Sequence, residues 1–428
     1  MRPYIARVPR GRSILLVAQL TPPSPLVGAR RPGAMAKYLG LAGHRVTVLT
    51  SSASGRGPVP GAGRVVRTRD LLASPMNWRR ANLEILQGKR EQTYGKASLL
   101  ERLLVPDLSL VGWVPFALTR ALELRRGESF DCVITTSPPA SAHLIGAALR
   151  SLGTPWVADL RDGWTFDPPR PAWPTRPQAA VDALLEGAAL RRADRVIAVT
   201  RPIAFDLERR LGVPVTVITN GFDPGERRAQ DGPTLDPARH SLVHTGRMNV
   251  VGRSPTAFFE GLHEYLRRRP DGARRLEVVL AGPVSAEQHA HLADRRLEGL
   301  VRSVGSLEHP TTLALQRRAD TLLVLAEGNE VRPSRSIATG KLFEYLGARR
   351  PVLVLGEDSE AARIVRDAGA GMAARGDDSA AIASALETLV DQGLDAPRRG
   401  VERYSWPALI RRLEAEIEAV VAGRVRRP

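Results

Sequence analysis

The chain has 428 residues, and its 62 lysines and arginines against 45 aspartates and glutamates give a formal net charge of +17 at pH 7. This length predicts two domains of roughly 200 residues each. A hydrophobic content of 43% is enough for buried cores. The single cysteine, Cys132, excludes an intramolecular disulfide and a cysteine zinc cluster, and its apolar neighbours predict a buried, inert thiol.

The positive charge comes almost entirely from arginine, since the chain has four lysines. This excess is compatible with codon composition, or with an anionic membrane surface, an anionic substrate or nucleic acid as a partner. The sequence has no run of about 18 apolar residues that would predict a membrane span. Its N-terminus lacks the apolar segment of a signal peptide, so we expect a cytoplasmic protein.

The first half of the chain alternates short apolar strands with helical segments. In chain order we predict strand 14–18, helix 33–41, strands 45–50 and 130–136, helix 143–152, strands 156–158 and 195–199, helix 202–211 and strand 215–218. Helical crossovers between parallel strands place the loop from Gln19 to Pro32 at the carboxyl edge of the sheet, where ligands bind. Gly28 and Gly33 in this loop match neither a dinucleotide motif nor a phosphate loop, which argues against NAD binding and P-loop ATPase activity.

The segment 51–130 interrupts this alternation. It carries basic residues beside aliphatic and aromatic ones, and it includes Asp107 and Trp113. Two interpretations stay open. The segment forms an interfacial or acceptor-docking surface, or it is a helical excursion that packs against the first domain.

Two polar residues follow predicted strands further along. His143 lies at the start of a helix, after a Ser-Pro-Pro turn, and Asp162 ends an Asp-Leu-Arg-Asp sequence. A lone histidine is more often structural than functional. Asp162 is equally suited to a structural ion pair with Arg161.

The best domain boundary follows the turn sequence Asn-Gly-Phe-Asp-Pro at 220–224, because the polar stretch after it has no periodicity. We therefore predict a first domain over 1–225 and a second over 226–405. A last helix, within 406–428, returns to the first domain in the family described below.

The second half resumes the alternation, with predicted strands over 242–245, 276–281, 321–325 and 352–355. Arg247 and Arg253 precede a helix for which Ser254 is the predicted cap and Pro255 the first residue. An anion between the two arginines would meet two cations and free backbone amides. Because arginines are common throughout this chain, an ordinary basic surface is the simpler interpretation.

The stretch 339–355 predicts a short helix, a tight turn and a buried strand, with Thr339 as the helix cap. Leu342, Phe343 and Leu346 share one apolar face. Lys341 and Glu344 project from the opposite side near the helix N-terminus. The simplest interpretation of these two residues is a solvated ion pair.

The sequence Lys-Leu-Phe-Glu-Tyr-Leu at 341–346, followed by Arg-Arg-Pro-Val-Leu-Val, resembles the nucleotide-sugar motif of retaining glycosyltransferases with the GT-B fold, of the family-four, group 1 type. The Ser-Pro-Pro turn with His143, the Asp-Leu-Arg-Asp-x-Trp sequence and the Asn-Gly-x-Asp turn follow in that family's order. The resemblance extends from Ile14 to about Gly423 and is interrupted over 51–130.

This resemblance implies an α/β fold of two Rossmann-like domains that face each other across a cleft, with the C-terminal helix crossing back to the first domain. It implies that Glu344 holds the donor ribose hydroxyls. Ser336 stands where many members have a second glutamate that contacts the donor sugar, so that pair is incomplete here. The implied sites are: catalytic, His143, Asp162, Arg247 and Arg253; donor-binding, Gly28, Arg247, Arg253, Ser336, Lys341 and Glu344; acceptor side, Asp107 and Trp113.

We therefore predict a glycosyltransferase that moves a sugar from a nucleotide-diphosphate sugar to a lipid-linked or small-molecule acceptor with retention of anomeric configuration. We expect no metal or other cofactor, and no nucleic-acid partner. The predicted context is cell-envelope polysaccharide, glycolipid or natural-product glycoside biosynthesis, in the cytoplasm or peripherally on the inner face of the membrane. The alternatives are a nucleotide-sugar epimerase or phosphorylase on the same fold, or a basic nucleic-acid-binding protein.

Overall fold

The computed structural model describes residues 11–72, 103–166, 172–226, 231–248, 255–326, 336, 338–395 and 400–425. Within these ranges the chain forms two parallel sheets, each covered by helices on both faces. The inner strands are continuous apolar runs, as expected for parallel strands that are buried on both sides. Ile14, Leu15, Leu16 and Val17 of the first strand are all fully buried.

The described part of the first sheet has seven parallel strands in the order β3-β2-β1-β4-β5-β6-β7. The elements of this domain are β1 (Ser13–Val17), α1 (Arg30–Leu41), β2 (Arg45–Ser51), β3 (Arg64–Thr68), α2 (Ser109–Gly112), α3 (Val114–Gly127), β4 (Cys132–Ser137), α4 (Ala142–Ser151), β5 (Trp156–Leu160), α5 (Arg176–Leu190), β6 (Arg195–Ala198), α6 (Arg201–Leu211) and β7 (Val215–Val217). The strand order reverses between β1 and β4, which pair with Ile14 opposite Cys132. Ligands bind at such a switch point in doubly wound folds.

The second sheet has six parallel strands among the described residues, in the order β10-β9-β8-β11-β12-β13. Its elements are β8 (His240–Thr245), α7 (Thr256–Arg268), α8 (Gly272–Arg275), β9 (Leu276–Ala281), α9 (Ala286–Leu292), β10 (Val301–Ser303), α10 (His309–Arg318), β11 (Thr321–Leu325), α11 (Gly340–Ala348), β12 (Val352–Leu355), α12 (Glu360–Asp367), β13 (Gly371–Ala374) and α13 (Ser379–Gln392). The switch point lies between β8 and β11.

The last helix, α14 (Trp406–Val425), packs on the first domain, as predicted. Its apolar residues share a core cluster with Ile14 and Leu16 of β1. Ion pairs hold the helix to the first domain, from Arg12 to Glu418 at 2.6 Å and from Arg195 to Glu416 at 2.7 Å, and His44 Nε2 lies 3.0 Å from a carboxylate oxygen of Glu414.

The chain leaves the first domain near Phe222 and returns to it near Trp406, and these two segments lie side by side. The Phe222 amide donates to the Tyr404 carbonyl at 3.1 Å, and the Trp406 amide donates to the Phe222 carbonyl at 2.9 Å. Asp223 accepts from Lys37 Nζ at 2.5 Å and from Tyr38 Oη at 2.6 Å, so α1 is fastened to the same crossing.

The structure corrects several predicted elements. Helix α1 begins at Arg30 rather than at 33, because proline is tolerated in a first helical turn and Pro32 does not delay the helix. Helix α7 begins at Thr256, with Pro255 rather than Ser254 at the cap position. Strands β3, β10 and β13 were not predicted.

The described part of the segment 51–130 supports the helical-packing interpretation. Ala117, Ala121 and Leu124 of α3 are buried in the core of the first domain. Cys132 is buried as predicted, and burial raises the pKa of its thiol. In the described residues no helix is long and apolar enough to span a membrane.

Candidate functional site

The loop after β1 and the start of α11 face each other across the gap between the domains. Arg30, the first residue of α1, forms an ion pair with Glu344 of α11. A Cβ atom built on Gly340 would lie 3.8 Å from the Val27 side chain. The carboxyl edges of the two sheets therefore meet at one cleft, where open α/β sheets bind ligands.

Helix α11 has the orientation that its sequence predicts. Leu342, Phe343 and Leu346 are fully buried, and the helix follows Thr339 directly. The Thr339 side chain makes no capping hydrogen bond, although the residue occupies the cap position. The helix ends at Ala348, and the next residue, Arg349, has a φ of 57°, the left-handed conformation that closes many helices.

The Glu344 carboxylate is held from both domains. Arg30 reaches it from the first domain, and Gln316 Nε2 of α10 donates to its Oε2 at 3.3 Å. The second guanidinium nitrogen of Arg30 lies 3.3 Å from His309 Nδ1, and His309 Nε2 lies 2.7 Å from a carboxylate oxygen of Glu226. Burial lowers the pKa of Arg30, and the charge of Glu226 opposes this effect.

Gln316 is a site residue that the sequence analysis did not identify. Its side chain is fully buried, and its Nε2 also donates to Thr245 Oγ1 at 3.0 Å. The Thr245 amide donates to Tyr345 Oη at 2.8 Å, and burial raises the pKa of Tyr345 to about 12. The available signal was its position three residues after Leu313, on the apolar face of α10.

Lys341 is held beneath the loop that follows β8. Its Nζ donates to His244 Nε2 at 3.0 Å and to the Arg247 carbonyl at 2.8 Å. Since His244 Nδ1 lies 2.9 Å from the Leu323 carbonyl, we assign the proton to Nδ1 and leave Nε2 as the acceptor for Lys341. Lys341 and Glu344 thus bond to other elements rather than forming the predicted solvated surface pair.

The loop after β8 passes close to the loop after β9. Gly246 has a φ of +80°, and a Cβ atom on Gly282 would come within 2.3 Å of the Gly246 carbonyl oxygen. Two glycines at this contact allow the loop to fold tightly over the sheet edge. Arg247 is half-buried beside it.

Arg253 and Ser336 were both predicted to bind the donor. Arg253 and Ser254 lie outside the described residues. Ser336 is buried, with 6% of its surface exposed.

On the first-domain wall, Arg161 joins two loops. It donates to the carbonyl of Gly28 after β1, and to the carbonyls of Ser137 at 2.5 Å and Pro138 at 2.9 Å after β4. A Cβ atom on Gly28 would lie 3.4 Å from Arg161 Nη1, at ordinary van der Waals contact. Arg161 therefore fixes the position of Gly28 through backbone acceptors.

A buried ion pair supports the same wall. Arg31 Nη2 lies 2.6 Å from Asp159 Oδ1, and their side chains are 2% and 0% exposed. Arg31 also donates to the carbonyls of Ile218 and Thr219, at 2.9 and 2.7 Å. The pair thus links α1, the end of β5 and the start of the interdomain crossing.

Asp162 lies directly after this wall, three residues beyond Asp159. Its carboxylate is exposed, yet the dense protein around it raises its pKa, while the charge of Arg161 opposes the rise. An accessible carboxyl group with a raised pKa is suited to accepting a hydrogen bond or a proton from a bound hydroxyl group.

His143 does not line the open cleft, which corrects the expectation for it. The side chain is fully buried near Trp156 and stacked on Trp164, and its Nδ1 lies 2.8 Å from Thr135 Oγ1. Burial lowers its pKa to about 4, the charge of Asp159 raises it and that of Arg161 lowers it, so the ring is neutral at pH 7. Its Nε2 has no hydrogen-bond partner within the described residues.

The two predicted acceptor-side residues have structural contacts. Asp107 accepts from the Ser141 amide at 2.9 Å and the Ser141 hydroxyl at 2.6 Å, immediately before α4. Trp113 is fully buried, and its Nε1 donates to Thr68 Oγ1 at 3.0 Å. The expectation that Trp113 contacts an acceptor is therefore corrected, because its ring belongs to the core.

The described residues include no group of three or more histidine, cysteine, aspartate or glutamate side chains placed to hold a metal ion. What the cleft brings together is a carboxylate, an ammonium group and an arginine-bearing loop on the second domain. These groups suit a ligand that has both hydroxyl and phosphate groups.

Comparisons with known proteins identify the first domain and the fold. Residues 28–221 match the model of the Glycosyl transferase 4-like domain. A comparison with curated protein sequences finds no match.

Three solved structures share the architecture across nearly all of the chain. Sucrose-phosphate synthase from Thermosynechococcus elongatus is 15% identical with a TM-score of 0.63, over 96% of this chain and 100% of that one. A glycosyltransferase from Rickettsia africae ESF-5 is 13% identical with a TM-score of 0.58, over 96% and 99%. The UDP-forming α,α-trehalose-phosphate synthase from Burkholderia xenovorans, in complex with glucose-6-phosphate, is 14% identical with a TM-score of 0.61, over 95% and 100%.

At these identities the solved structures establish the fold, and the domain match over 28–221 adds the family of the first domain. With a Glycosyl transferase 4-like domain in a GT-B fold, the chain is a glycosyltransferase of the GT-B class.

Proposed function

We propose that this glycosyltransferase moves a sugar from a nucleotide-diphosphate donor to a separate acceptor, with retention of the anomeric configuration. The observation that carries the proposal is the pair of restrained groups on α11. Gln316 holds the Glu344 carboxylate, and His244 holds the Lys341 ammonium group, at the edge of the sheet where ligands bind.

Glu344 binds the ribose in this proposal. A carboxylate accepts hydrogen bonds through both oxygens and so suits two adjacent hydroxyl groups. One oxygen of Glu344 faces Arg30, so donor binding exchanges an interdomain ion pair for ribose contacts.

The donor diphosphate lies against the loop after β8. Arg247, Arg253 and the N-terminus of α7 stabilise the negative charge that develops on the leaving phosphate, without a metal. Lys341 supports this loop through the Arg247 carbonyl and adds a positive charge beneath it.

The reacting sugar lies between the two walls. The Trp156 indole donates to Thr135 Oγ1 at 2.8 Å, which leaves the threonine hydroxyl to donate to His143 Nδ1 and places the histidine proton on Nε2. That N–H group is buried and stays within the first-domain wall, whereas the exposed Asp162 accepts a hydrogen bond from the acceptor. The acceptor attacks on the face that the diphosphate leaves.

The acceptor is a lipid-linked or small molecule, in cell-envelope or natural-product glycoside biosynthesis. The Burkholderia xenovorans structure contains glucose-6-phosphate. A formal charge of +17 favours a similarly anionic acceptor for this chain.

The first experiment is thermal unfolding with a panel of nucleotide-diphosphate sugars. A ligand that binds the folded state alone adds about 2.7 kcal/mol of stability at a hundredfold excess over its dissociation constant. We expect one donor to raise the unfolding temperature of the wild type. We expect Glu344→Ala and Arg253→Ala to lose that shift, and Glu298→Ala, an exposed control, to keep it.

Transfer to a separate acceptor distinguishes this function from its alternatives. Epimerisation or phosphorolysis of the donor without transfer would favour an epimerase or a phosphorylase. Wild-type transfer rates in both Glu344→Ala and Arg253→Ala would refute the assigned site.

A further inference from the structure

Helix α5 buries two carboxylates and exposes apolar side chains. Asp182 and Glu186 are buried, with 1% and 0% exposure. The exposed residues in the middle of the helix are all apolar: Ala179, Ala180, Val181, Ala183 and Leu184. A surface helix ordinarily turns its apolar stripe inward. Both the buried carboxylates and the exposed apolar side chains of α5 therefore need an explanation.

The inner carboxylates have structural partners. Asp182 accepts from Trp164 Nε1 at 2.7 Å and from Trp173 Nε1 at 2.8 Å. Glu186 accepts from Thr165 Oγ1 at 2.6 Å. These bonds explain why acidic residues face inward, but they place no requirement on the outward side of the helix.

The outer side of α5 continues onto α6. Arg210 of α6 lies 2.7 Å from Glu186, and Arg191 Nε donates to the Leu211 carbonyl at 3.3 Å. Both helices pack against the same core, so their outward sides adjoin. Phe205 on the outward side of α6 is 66% exposed, and Val181 and Leu184 of α5 are 47% and 71% exposed. We name this surface the α5–α6 face.

Most exposed charged residues in this part of the chain are positive, although Arg210 is paired with Glu186 at 2.7 Å and with Asp206 at 2.8 Å. Over residues 172–214 the exposed charged residues are six arginines and one glutamate: Arg176, Arg191, Arg192, Arg201, Arg209, Arg210 and Glu208. Exposed apolar groups bordered by cations complement a surface that is anionic outside and apolar beneath.

We propose that the α5–α6 face docks on an anionic lipid membrane, with Val181, Leu184 and Phe205 inserted among the lipids and the arginines at the phosphate groups. A second copy of the chain is a poorer occupant, because a two-fold contact would bring the same arginines together. Duplex nucleic acid would leave the apolar centre uncovered. Docking requires no donor, so this inference is independent of the proposed activity.

Flotation with phosphatidylcholine vesicles, with and without phosphatidylglycerol, tests the docking. We expect the wild type to bind the anionic vesicles, and the binding to weaken as salt is added. Val181→Ser/Leu184→Ser/Phe205→Ser should weaken binding by about tenfold or more, because the inserted side chains are lost. The matched control, Leu41→Ser/Leu152→Ser, removes leucines that are 72% and 48% exposed outside this face, and should bind as the wild type does.

Two double variants test whether binding depends on the position of the arginines or only on the net charge of the protein. Arg176→Gln/Arg209→Gln should weaken anionic binding, whereas Arg267→Gln/Arg296→Gln, which changes the net charge equally on the second domain, should not. Thermal unfolding checks that every variant is folded.

Any one of four results would overturn the proposal. The first three are no binding of the wild type to anionic vesicles, equal binding by the triple serine variant, and equal weakening of binding by both arginine pairs. The fourth is a doubled mass in light scattering that the triple variant abolishes, which would assign the α5–α6 face to self-association.

Discussion

The two walls of the cleft are built in different ways. On the second domain, polar side chains restrain each other: Gln316 holds Glu344, and His244 holds Lys341. On the first domain, arginines restrain the wall through backbone carbonyls and a buried carboxylate, as Arg161 and Arg31 do. We therefore expect substitutions in the first wall to change stability and those in the second to change donor binding and transfer.

Arg31→Met should have the largest effect on the first wall. It leaves Asp159 buried without its cation, and breaking such a pair costs about 3–5 kcal/mol of unfolding free energy. Urea denaturation measures the loss. The control Arg64→Met removes a partly exposed pair, Arg64 with Glu128 at 3.2 Å, and should cost about 0–1 kcal/mol. Equal losses would mean that the buried pair does not support the wall.

Arg247→Ala tests the opposite expectation on the second wall. Losing one preorganised group that stabilises charge should raise the barrier by about 2.7–4 kcal/mol, or slow transfer by about 10²–10³-fold. Steady-state kinetics measure this effect, and urea denaturation should show little change. Arg267→Ala, an exposed control on the same domain, should transfer at the wild-type rate. If Arg247→Ala lost enough unfolding free energy to explain its slower transfer, the two walls would not differ in the way proposed.

The buried His143 makes the first wall sensitive to acid. Its pKa is about 4 in the folded protein against an ordinary 6.5, so the unfolded chain binds the proton first. The free energy of unfolding should therefore fall as the pH drops from about 6.5 to about 4, by about 3 kcal/mol in total, and be unaffected above this window.

Urea denaturation at pH 7 and pH 4.5 measures this acid sensitivity. His143→Gln should lose less stability than the wild type between the two pH values, whereas His289→Gln, at an exposed histidine, should lose as much. Equal losses in all three proteins would place the acid sensitivity elsewhere.

Gln316→Leu tests whether Gln316 holds Glu344 in position for donor binding. It removes the hydrogen bond to Glu344 and should weaken donor binding by about 1.5–3 kcal/mol, since the acceptor is charged. We expect KM to rise more than kcat falls. Gln392→Leu makes the same change on an exposed surface and should leave KM unaltered. A normal KM in Gln316→Leu would show that Glu344 keeps its position without this partner.

Arg30→Met should have the smallest effect, and it tests the ion pair between Arg30 and Glu344 that joins the two walls. If Arg30 competes with ribose for Glu344, removing it should tighten nucleotide binding by at most about 1 kcal/mol, because the pair is partly exposed. Isothermal titration with nucleoside diphosphates measures this change. Arg120→Met, in a comparably exposed pair with Glu123, is the control. Weaker binding in Arg30→Met would mean that Arg30 contacts the donor itself.

The unpredicted strands show where sequence patterns weaken. β3, β10 and β13 each lie at an edge of a sheet. An edge strand is covered less completely than a central one, so it does not need a continuous apolar run. β10 is Val-Arg-Ser and β13 begins with Gly371, whereas the central β11 is Thr-Leu-Leu-Val-Leu and was predicted with its observed bounds.

The site shows the same division between local and distant information. The sequence predicted the buried side of α11, and so which side carries Lys341 and Glu344, because helical periodicity is a local property. It did not predict Gln316 as a partner of Glu344, nor the burial of Trp113 and His143. Arg30 and Glu344 are 314 positions apart, and no periodicity in either helix indicates that they meet.

The apolar runs in the sequence predicted the α/β class and the central strands, because parallel strands buried on both faces require such runs at regular intervals. The return of α14 followed from the family resemblance. The folded structure was needed to show which polar groups restrain one another across the cleft and that α5 turns its carboxylates inward. Those outcomes depend on which distant side chains meet when the helices pack, and hydrogen-bond partners leave no repeating pattern in the chain.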